Sequence, residues 1–522
     1  MSKFKDTNKK SKIGQFWIIG LGLLILYLLT HLVSLTALPV FADESIYIRW
    51  AQLIMDEPAR YLFFALNDGK TPLFIWSLIP FQYLFADQLF AARFVSVLVG
   101  LGQVGMMAWL AKELGGKQKA QILAALFTII LPFWYFHHRM ALMDSLLTFW
   151  LSLTLLGVLK LVRTKKFFWF LVSGFSFGLA LWTKLPAILF IPAFMLYSFI
   201  HANPGKDYFK KLIINGTQIG LSLEIGLLIF LTLKLNPAFG QLFSRGGDFL
   251  YPLSEVLAGR WWANLLQIPK YLGYLGTYLT WPVLLLPLYG LYTKQRKKHF
   301  VLLSFVFIFM FPIVIMGKTV YPRYFMPVSL FITLSAALAL ESLFDQVKQL
   351  RLLSSSVVLA ALSALITAII INSSFVFILY SLFSFNHTPF VAADQEQYLH
   401  EWSSGHGVKE ATQFIQTQAQ TQTVAVATEG SFGTLPDGVL LYLHGKDVSN
   451  IYIEGIGQPV ASISPKFIER AKDYDLVYLL VNSHRMKLEL PAENLVTEYQ
   501  RPDGAPSLQL WKISSLIRPK QF

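Results

Sequence analysis

The feature that most limits what this chain can become is a series of uninterrupted apolar stretches, each about 20 residues long, recurring from Ile13 to about Phe385. As an α-helix, a stretch of that length crosses a hydrocarbon core of roughly 30 Å with every backbone hydrogen bond satisfied inside itself. Composition agrees: 55% of the residues are hydrophobic and 14% are charged, against roughly a quarter charged in soluble domains. About 11 such spans are predicted by the window rule. The expected architecture is a polytopic α-helical membrane protein, with a membrane domain over residues 1–385 and an outer first loop over 41–87. From Asn386 the pattern changes to Gln- and Thr-rich, charge-bearing sequence with short strand-like runs, which predicts a separate soluble α/β domain over 386–522.

The formal net charge of +14 does not point to nucleic acid, because the basic residues sit in short clusters between spans, where the positive-inside rule expects them. "MSKFKDTNKKSK" brings five lysines ahead of the first span and predicts a cytoplasmic amino terminus. The inner loops "KELGGKQK", "RTKK", "GKDYFKK", "KQRKKH" and "DQVKQLR" follow in alternation, which leaves the carboxyl-terminal domain outside and the whole chain integral to the plasma membrane. "VFA" before Asp43 resembles a signal-peptidase site, yet the apolar run ahead of it far exceeds a usual h-region of about 7–15 residues, so the segment reads as an uncleaved first helix. Cysteine is absent, which removes disulfides and thiolate metal sites from consideration.

Sorting the loops isolates a small set of charges on the outer side. Lys70, Arg93, Arg139, Lys184 and Arg323 stand at span ends or beside carboxylates, together with Asp43, Glu44 and Asp144. A single such cation can merely snorkel to the headgroups, but a convergent set at membrane depth marks a functional site by default. In the outer loop, Ile46, Trp50, Leu53 and Ile54 recur at helical spacing and predict a helix lying along the membrane surface. The turn at Asp68 and Gly69, followed by Pro72, sets Lys70 near a helix N-terminus that favours anions, or simply in a solvated turn. Asp144 precedes the apolar run "SLLTFWLSLTLL", where an N-cap is the plainer role.

In order along the chain, a first span ending in "DE" with Tyr47 after it, then "GKTPLFIW", "RMALMDSLLTFW", "WTKLPAILFIP" and "YPRYFMP" resemble the GT-C glycosyltransferases. The branch is that of the protein O-mannosyltransferases and the bacterial lipid A aminoarabinose transferases, and the likeness runs through the whole membrane part. The short Asn236 to Leu272 loop has no room for the MIR repeats of the eukaryotic O-mannosyltransferases. The resemblance implies a hexosyl- or pentosyltransferase that moves a sugar from a polyprenyl-phosphate donor to an acceptor hydroxyl on a lipid, glycan or protein outside the membrane. Asp43 would be the general base, with Glu44 beside it and Asp144 as the second acidic position. Lys70, Arg323, Lys184 and Arg93 would meet the donor phosphate, and Tyr47, Tyr321, Tyr324 and His138 would line the substrate. These motifs demand no cofactor; a divalent metal ion held by Asp144 and His137 is left open, although adjacent histidines diverge. Asp43, Lys70 and Arg323 are expected to converge on one outward-facing cavity.

Single displacement at the anomeric carbon implies inversion and needs no second carboxylate as nucleophile. A nucleotide-sugar donor would instead call for a phosphate-cradling loop, and "GxxxxGK[ST]" does not occur. The rivals are a lipid or sugar transporter or flippase, another class of membrane polysaccharide polymerase or ligase, and a glycan-binding protein that has lost activity. Transporters tend to show repeated halves with broken helices at midplane, a pattern not evident here. In the soluble tail, "VKEATQFIQTQAQ" predicts a helix and "TVAVATE", "DLVYLLVN" and "LQLWKI" predict strands. "TEGSFGTLPDG" between strand and helix reads as a tight turn or as a cradle for an anion.

Overall fold

The computed structural model describes residues 2–201, 207–349 and 354–518. The basic loops expected at 205–211 and 345–351 therefore fall partly outside the described residues. Two compact units emerge, each assembled from separate stretches of chain: Met1–Ser34, Phe63–Phe74 and Phe94–Phe383 form the first, and Leu35–Leu62, Ile75–Arg93 and Ser384–Phe522 form the second.

The first unit is a helical bundle. Among the described residues, six helices are long and apolar enough to cross a membrane: Gln88–Glu113, Met143–Thr164, Tyr208–Leu235, Arg296–Met316, Pro322–Gln349 and Val357–Phe383. Six shorter apolar helices accompany them, including Gln118–Ile130, Phe167–Thr183 and Trp281–Gly290. The chain is an integral membrane protein. Apolar sequence alone does not tell which helices are central, but burial does. Over its most apolar 18 residues, Pro322–Gln349 is 89% and Met143–Thr164 78% buried, whereas Val357–Phe383 is 28% buried and leaves most of its hydrocarbon side chains outward, as lipid-facing helices do.

Helices in lipid gain little from hydrophobic burial against one another and associate through close backbone approach and hydroxyl contacts. Here a methyl group at Gly226 would come within 2.8 Å of the Gly174 carbonyl oxygen, and one at Gly174 within 2.5 Å of the Ser222 carbonyl oxygen. The Ser173 and Ser222 hydroxyls lie 2.5 Å apart across the same seam, and those of Thr154 and Ser176 lie 2.9 Å apart.

The second unit centres on a mixed five-stranded sheet in the order β2-β1-β3-β5-β4, with β1 Val424–Thr428, β2 Ile451–Gly455, β3 Leu476–Asn482, β4 Leu495–Tyr499 and β5 Leu508–Lys512. β1 runs parallel to both β2 and β3, and β5 runs antiparallel to β3 and β4. The central strands β1 and β3 are buried along their full length, which is why they read as continuous Val, Ala and Leu runs rather than alternating ones. One face packs helices Val408–Gln418 and Asp437–Leu443, the other Pro465–Ala471. The "TEGSFGTLPDG" segment folds as a turn, with Gly430 and Gly433 at positive φ and the Gly430 and Gly457 amides exchanging hydrogen bonds of 2.9 and 3.1 Å.

The helix Ala42–Asp56 belongs to this unit, and its apolar stripe is covered by protein. Ile46, Trp50 and Ile54 are buried because the helix packs on the sheet domain. Gln52 Nε2 donates to the Leu441 carbonyl at 3.1 Å, His444 Nε2 meets Asp56 Oδ1 at 3.1 Å, and a methyl group at Gly438 would touch the Ser45 hydroxyl at 3.4 Å.

Asp437, at the start of its helix, is nine-tenths buried and accepts the Gly433 N–H at 2.8 Å. Burial pushes its carboxyl up to about 6, against the lesser pull of that hydrogen bond and of Arg49. The folded protein thus holds a proton that the unfolded chain has already released, so this group's contribution to stability is lost as pH rises from the usual carboxylate range through about 6. Asp437→Asn, which keeps an acceptor for Gly433, is expected to stabilise the fold by on the order of 2 kcal/mol at about pH 8 and by little at about pH 4. Thermal unfolding midpoints at the two pH values check this.

Candidate active site

In the second unit, Asp43 and Glu44 open the Ala42–Asp56 helix behind Phe41 as N-cap. A phenylalanine cannot accept the free N–H groups of a first turn. Glu44 takes over part of that duty by accepting the Phe41 N–H at 3.0 Å. Both of its oxygens also meet Arg93, with Nε to Oε1 at 2.9 Å and Nη2 to Oε2 at 2.7 Å. Arg93 directs its remaining donors to the carbonyls of Leu35 at 2.9 Å, Leu38 at 2.8 Å and Pro39 at 3.1 Å. Glu44 is 0% and Arg93 1% exposed. These two expectations are corrected: with its oxygens so occupied Glu44 is a structural anchor, and with its fork so occupied Arg93 does not present itself to a donor phosphate. Asp43, about 100° further round the helix, is only partly buried. Tyr47, one turn on, is buried with its ring 6.2 Å from that of Trp50.

In the first unit, three of the quoted motifs meet. Asp144 is the second residue of the helix Met143–Thr164, whose N-cap is Leu142, so the N-cap reading of Asp144 does not hold. Its Oδ1 accepts instead from Lys184 Nζ at 2.7 Å. Lys184 stands in extended backbone just past the end of Phe167–Thr183, and its ammonium lies 4.9 Å from the centre of the Tyr324 ring. Arg323, in the short turn Pro322–Phe325 that opens the most buried membrane helix, has its guanidinium 5.6 Å from Tyr321 and 5.7 Å from Tyr324. The two tyrosine rings meet edge to face at 5.9 Å. Asp144 and Arg323 are 3% and 7% exposed. The result is one carboxylate, two cations and two aromatic faces at the ends of three apolar helices, a setting in which charge interactions are stronger than in water.

Lys70 is ion-paired with Asp68, which also receives Arg245, and Arg245 in turn reaches Asp248 at 2.8 Å. Gly69 has φ +68°, and a methyl group there would meet Arg245 Cβ at 2.8 Å. Asp68 and Arg245 as partners of Lys70 lie beyond what the sequence shows, since nothing local in "SRGGDF" announces the contact. Arg139 serves the chain itself, donating to the carbonyls of Thr30, Val33 and Ser34 at 2.7, 2.9 and 2.8 Å, as cations do at helix C-termini.

His138 is corrected from substrate lining to packing. It is fully buried, with its ring 5.4 Å from Trp134, and leaves no room for a methyl group at Gly100, which would lie 2.5 Å away. His137 Nδ1 donates to the Phe133 carbonyl at 2.7 Å. Among the described residues no three His, Cys, Asp or Glu side chains gather closely enough to hold a metal ion.

A model of the dolichyl-phosphate-mannose-protein mannosyltransferase family matches residues 61–233, the stretch that carries Lys70, Asp144 and Lys184. ArnT from Cupriavidus metallidurans superposes with a TM-score of 0.54 at 14% identity, over 97% of this chain and 99% of ArnT. The chain therefore carries the fold that ArnT has, the GT-C fold. The GT-C likeness extends to ArnT bound to undecaprenyl phosphate, with a TM-score of 0.55 at 14% identity over 95% of this chain and 98% of ArnT. It extends also to the oligosaccharyltransferase AglB of Archaeoglobus fulgidus, in complex with an inhibitory peptide and a dolichol-phosphate, with a TM-score of 0.54 at 11% identity over 91% of this chain and 70% of AglB. A search of curated proteins finds no match. Within the GT-C fold, the carboxyl-terminal sheet domain is covered as well as the helical bundle in the ArnT comparison.

Proposed function

We propose that this chain is a membrane glycosyltransferase that moves a sugar from a polyprenyl-phosphate donor to an acceptor hydroxyl on the outer face of the membrane, with inversion. The observation that carries the reading is the gathering of Asp144, Lys184 and Arg323 around Tyr324 in a GT-C bundle. Its neighbours in fold, ArnT and AglB, are known bound to undecaprenyl phosphate and dolichol-phosphate.

In this mechanism the acceptor oxygen attacks the anomeric carbon from the side opposite the phosphate. The bond from that carbon to the phosphate oxygen breaks, its electron pair leaves with the polyprenyl phosphate, and the hydroxyl proton passes to the Asp43 carboxylate. Charge grows on the phosphate as the bond breaks, so fixed cations stabilise the transition state more than the ground state. Arg323 supplies a planar fork for phosphate oxygens and Lys184 a point charge that Asp144 orients. Lys70 has a similar role through its own ionic network. Arg323→Gln is expected to lower the rate of polyprenyl phosphate release by roughly 10²-fold, with Arg323→Lys intermediate.

The test is to incubate the purified protein with polyprenyl-phosphate-linked hexoses and pentoses and a membrane lipid, glycan and peptide mixture, and to follow products by mass spectrometry. The expected result is free polyprenyl phosphate together with an acceptor heavier by one sugar. A protein that leaves every donor intact while moving it between vesicle leaflets is a flippase, and that result overturns the reading.

A further inference from the structure

The amino-terminal end of the Asp43 helix is held from a second direction that the mechanism does not use. The Ala42 N–H, one of the first-turn donors left without an intrahelical partner, donates to the Ser403 carbonyl at 3.0 Å, and Phe41 pairs with Ser404 in an antiparallel bridge. Contact here is close enough that a methyl group at Gly405 would lie 2.1 Å from the Val40 carbonyl oxygen. The turn at Ser403 and Ser404 is itself pinned from behind. Arg501 Nη2 donates to the Ser404 carbonyl at 3.1 Å and to Asn482 Oδ1 at 2.6 Å, while its Nη1 donates to the Pro506 carbonyl. Asn482, the last residue of β3, donates from its backbone and side-chain nitrogens to Glu429 at 2.8 and 2.6 Å. Glu429 follows directly on β1 and is 2% exposed. A continuous buried polar chain therefore runs from the carboxyl ends of the two central parallel strands to the residue next to Asp43.

A buried guanidinium is costly unless its partners are well placed, and burial, against the opposing pull of Glu429 and Glu401, brings the Arg501 group down to about 10. Apolar residues could fill the same space. What they could not do is fix three backbone and side-chain oxygens at once, which is the use of arginine's rigid fork.

We infer that Arg501 is a positioning residue for the transfer reaction: through Ser404 and Ser403 it sets where the Asp43 carboxylate stands, which makes the soluble domain a working part of the catalytic apparatus. This inference rests on the reading of Asp43 as the base, and the experiment separates the two. Full-chain Arg501→Met, Arg501→Lys, Asp43→Asn and the double variant Asp43→Asn with Arg501→Met are compared for kcat and donor KM. Misplacing a reacting group by about 1 Å costs on the order of 10²-fold. Arg501→Met is expected to lower kcat roughly 10- to 100-fold with donor KM changed by less than about threefold, and Arg501→Lys to recover part of the loss. In the Asp43→Asn background, Arg501→Met should cost nothing further, because the group it positions is already gone. If Arg501→Met does not fold, Gly405→Ala is read on the same cycle from the other end of the contact.

Full kcat in a folded Arg501→Met or Gly405→Ala protein overturns the inference while leaving the base assignment intact. A loss of equal size in the parent and in the Asp43→Asn background also overturns it, because that is the mark of a general structural role. Undiminished turnover in Asp43→Asn sinks the base assignment and the inference together.

Discussion

Asp43→Asn is expected to lower turnover by roughly 10²- to 10⁴-fold while leaving the donor bound about as tightly as before, the range set by loss of a positioned general base. The asparagine keeps the size and polarity of the side chain but cannot take up the acceptor proton. The helix should be unaffected, because Glu44, Arg93 and the Ser403 carbonyl, which hold its start, all remain in place. A donor-binding measurement beside the rate measurement separates lost chemistry from lost fold. Transfer at the parent rate would move the base elsewhere, and Asp144 would be a poor substitute since its carboxylate already receives Lys184.

The second large effect concerns stability. Arg93→Ala leaves the Glu44 carboxylate buried at 0% exposure without its bidentate partner, and it also strips the Leu35, Leu38 and Pro39 carbonyls of their donors. Breaking a buried ion pair from one side costs about 3–5 kcal/mol. Arg93→Ala and Glu44→Ala should each lower the thermal midpoint by many degrees. Replacing both partners together, as Glu44→Leu with Arg93→Met, should be far milder, since no uncompensated charge then remains. Equal losses from the single and double replacements would mean that the pair matters through packing alone.

How much of this is visible in the sequence depends on where the information lies. Asp144, Lys184 and Arg323 can be singled out because each is a charge at the edge of an apolar run, and charge at that depth is too costly to be idle. Their meeting around Tyr324 is a matter of the fold, since no local spacing relates positions 144, 184 and 323. The pairing of Glu44 with Arg93 cannot be read, because the two lie in different helices and no local spacing relates them. Both residues have the same surface signature as the cations and carboxylates taken for catalysis; only burial and occupied oxygens separate an anchor from a reagent. The face of the Asp43 helix misleads for a similar reason. Its apolar spacing is genuine, but a hydrophobic stripe does not say whether lipid or protein covers it, and here Leu441 and its helix do. In the sheet domain β1, β3 and β5 are legible as apolar runs, while β2 and β4 are not: both lie at the sheet edges and are only half-buried.

The order of synthesis adds a constraint of its own. Ala42 emerges from the ribosome long before Ser403 and Arg501 exist, so the Asp43 helix passes most of translation without the partners that cover its apolar face. Because units fold as their pieces become available, the nascent protein carries an unfinished Ala42–Asp56 segment until that later stretch arrives. A chain assembled in this way completes the start of the Asp43 helix only once its sheet domain has been made.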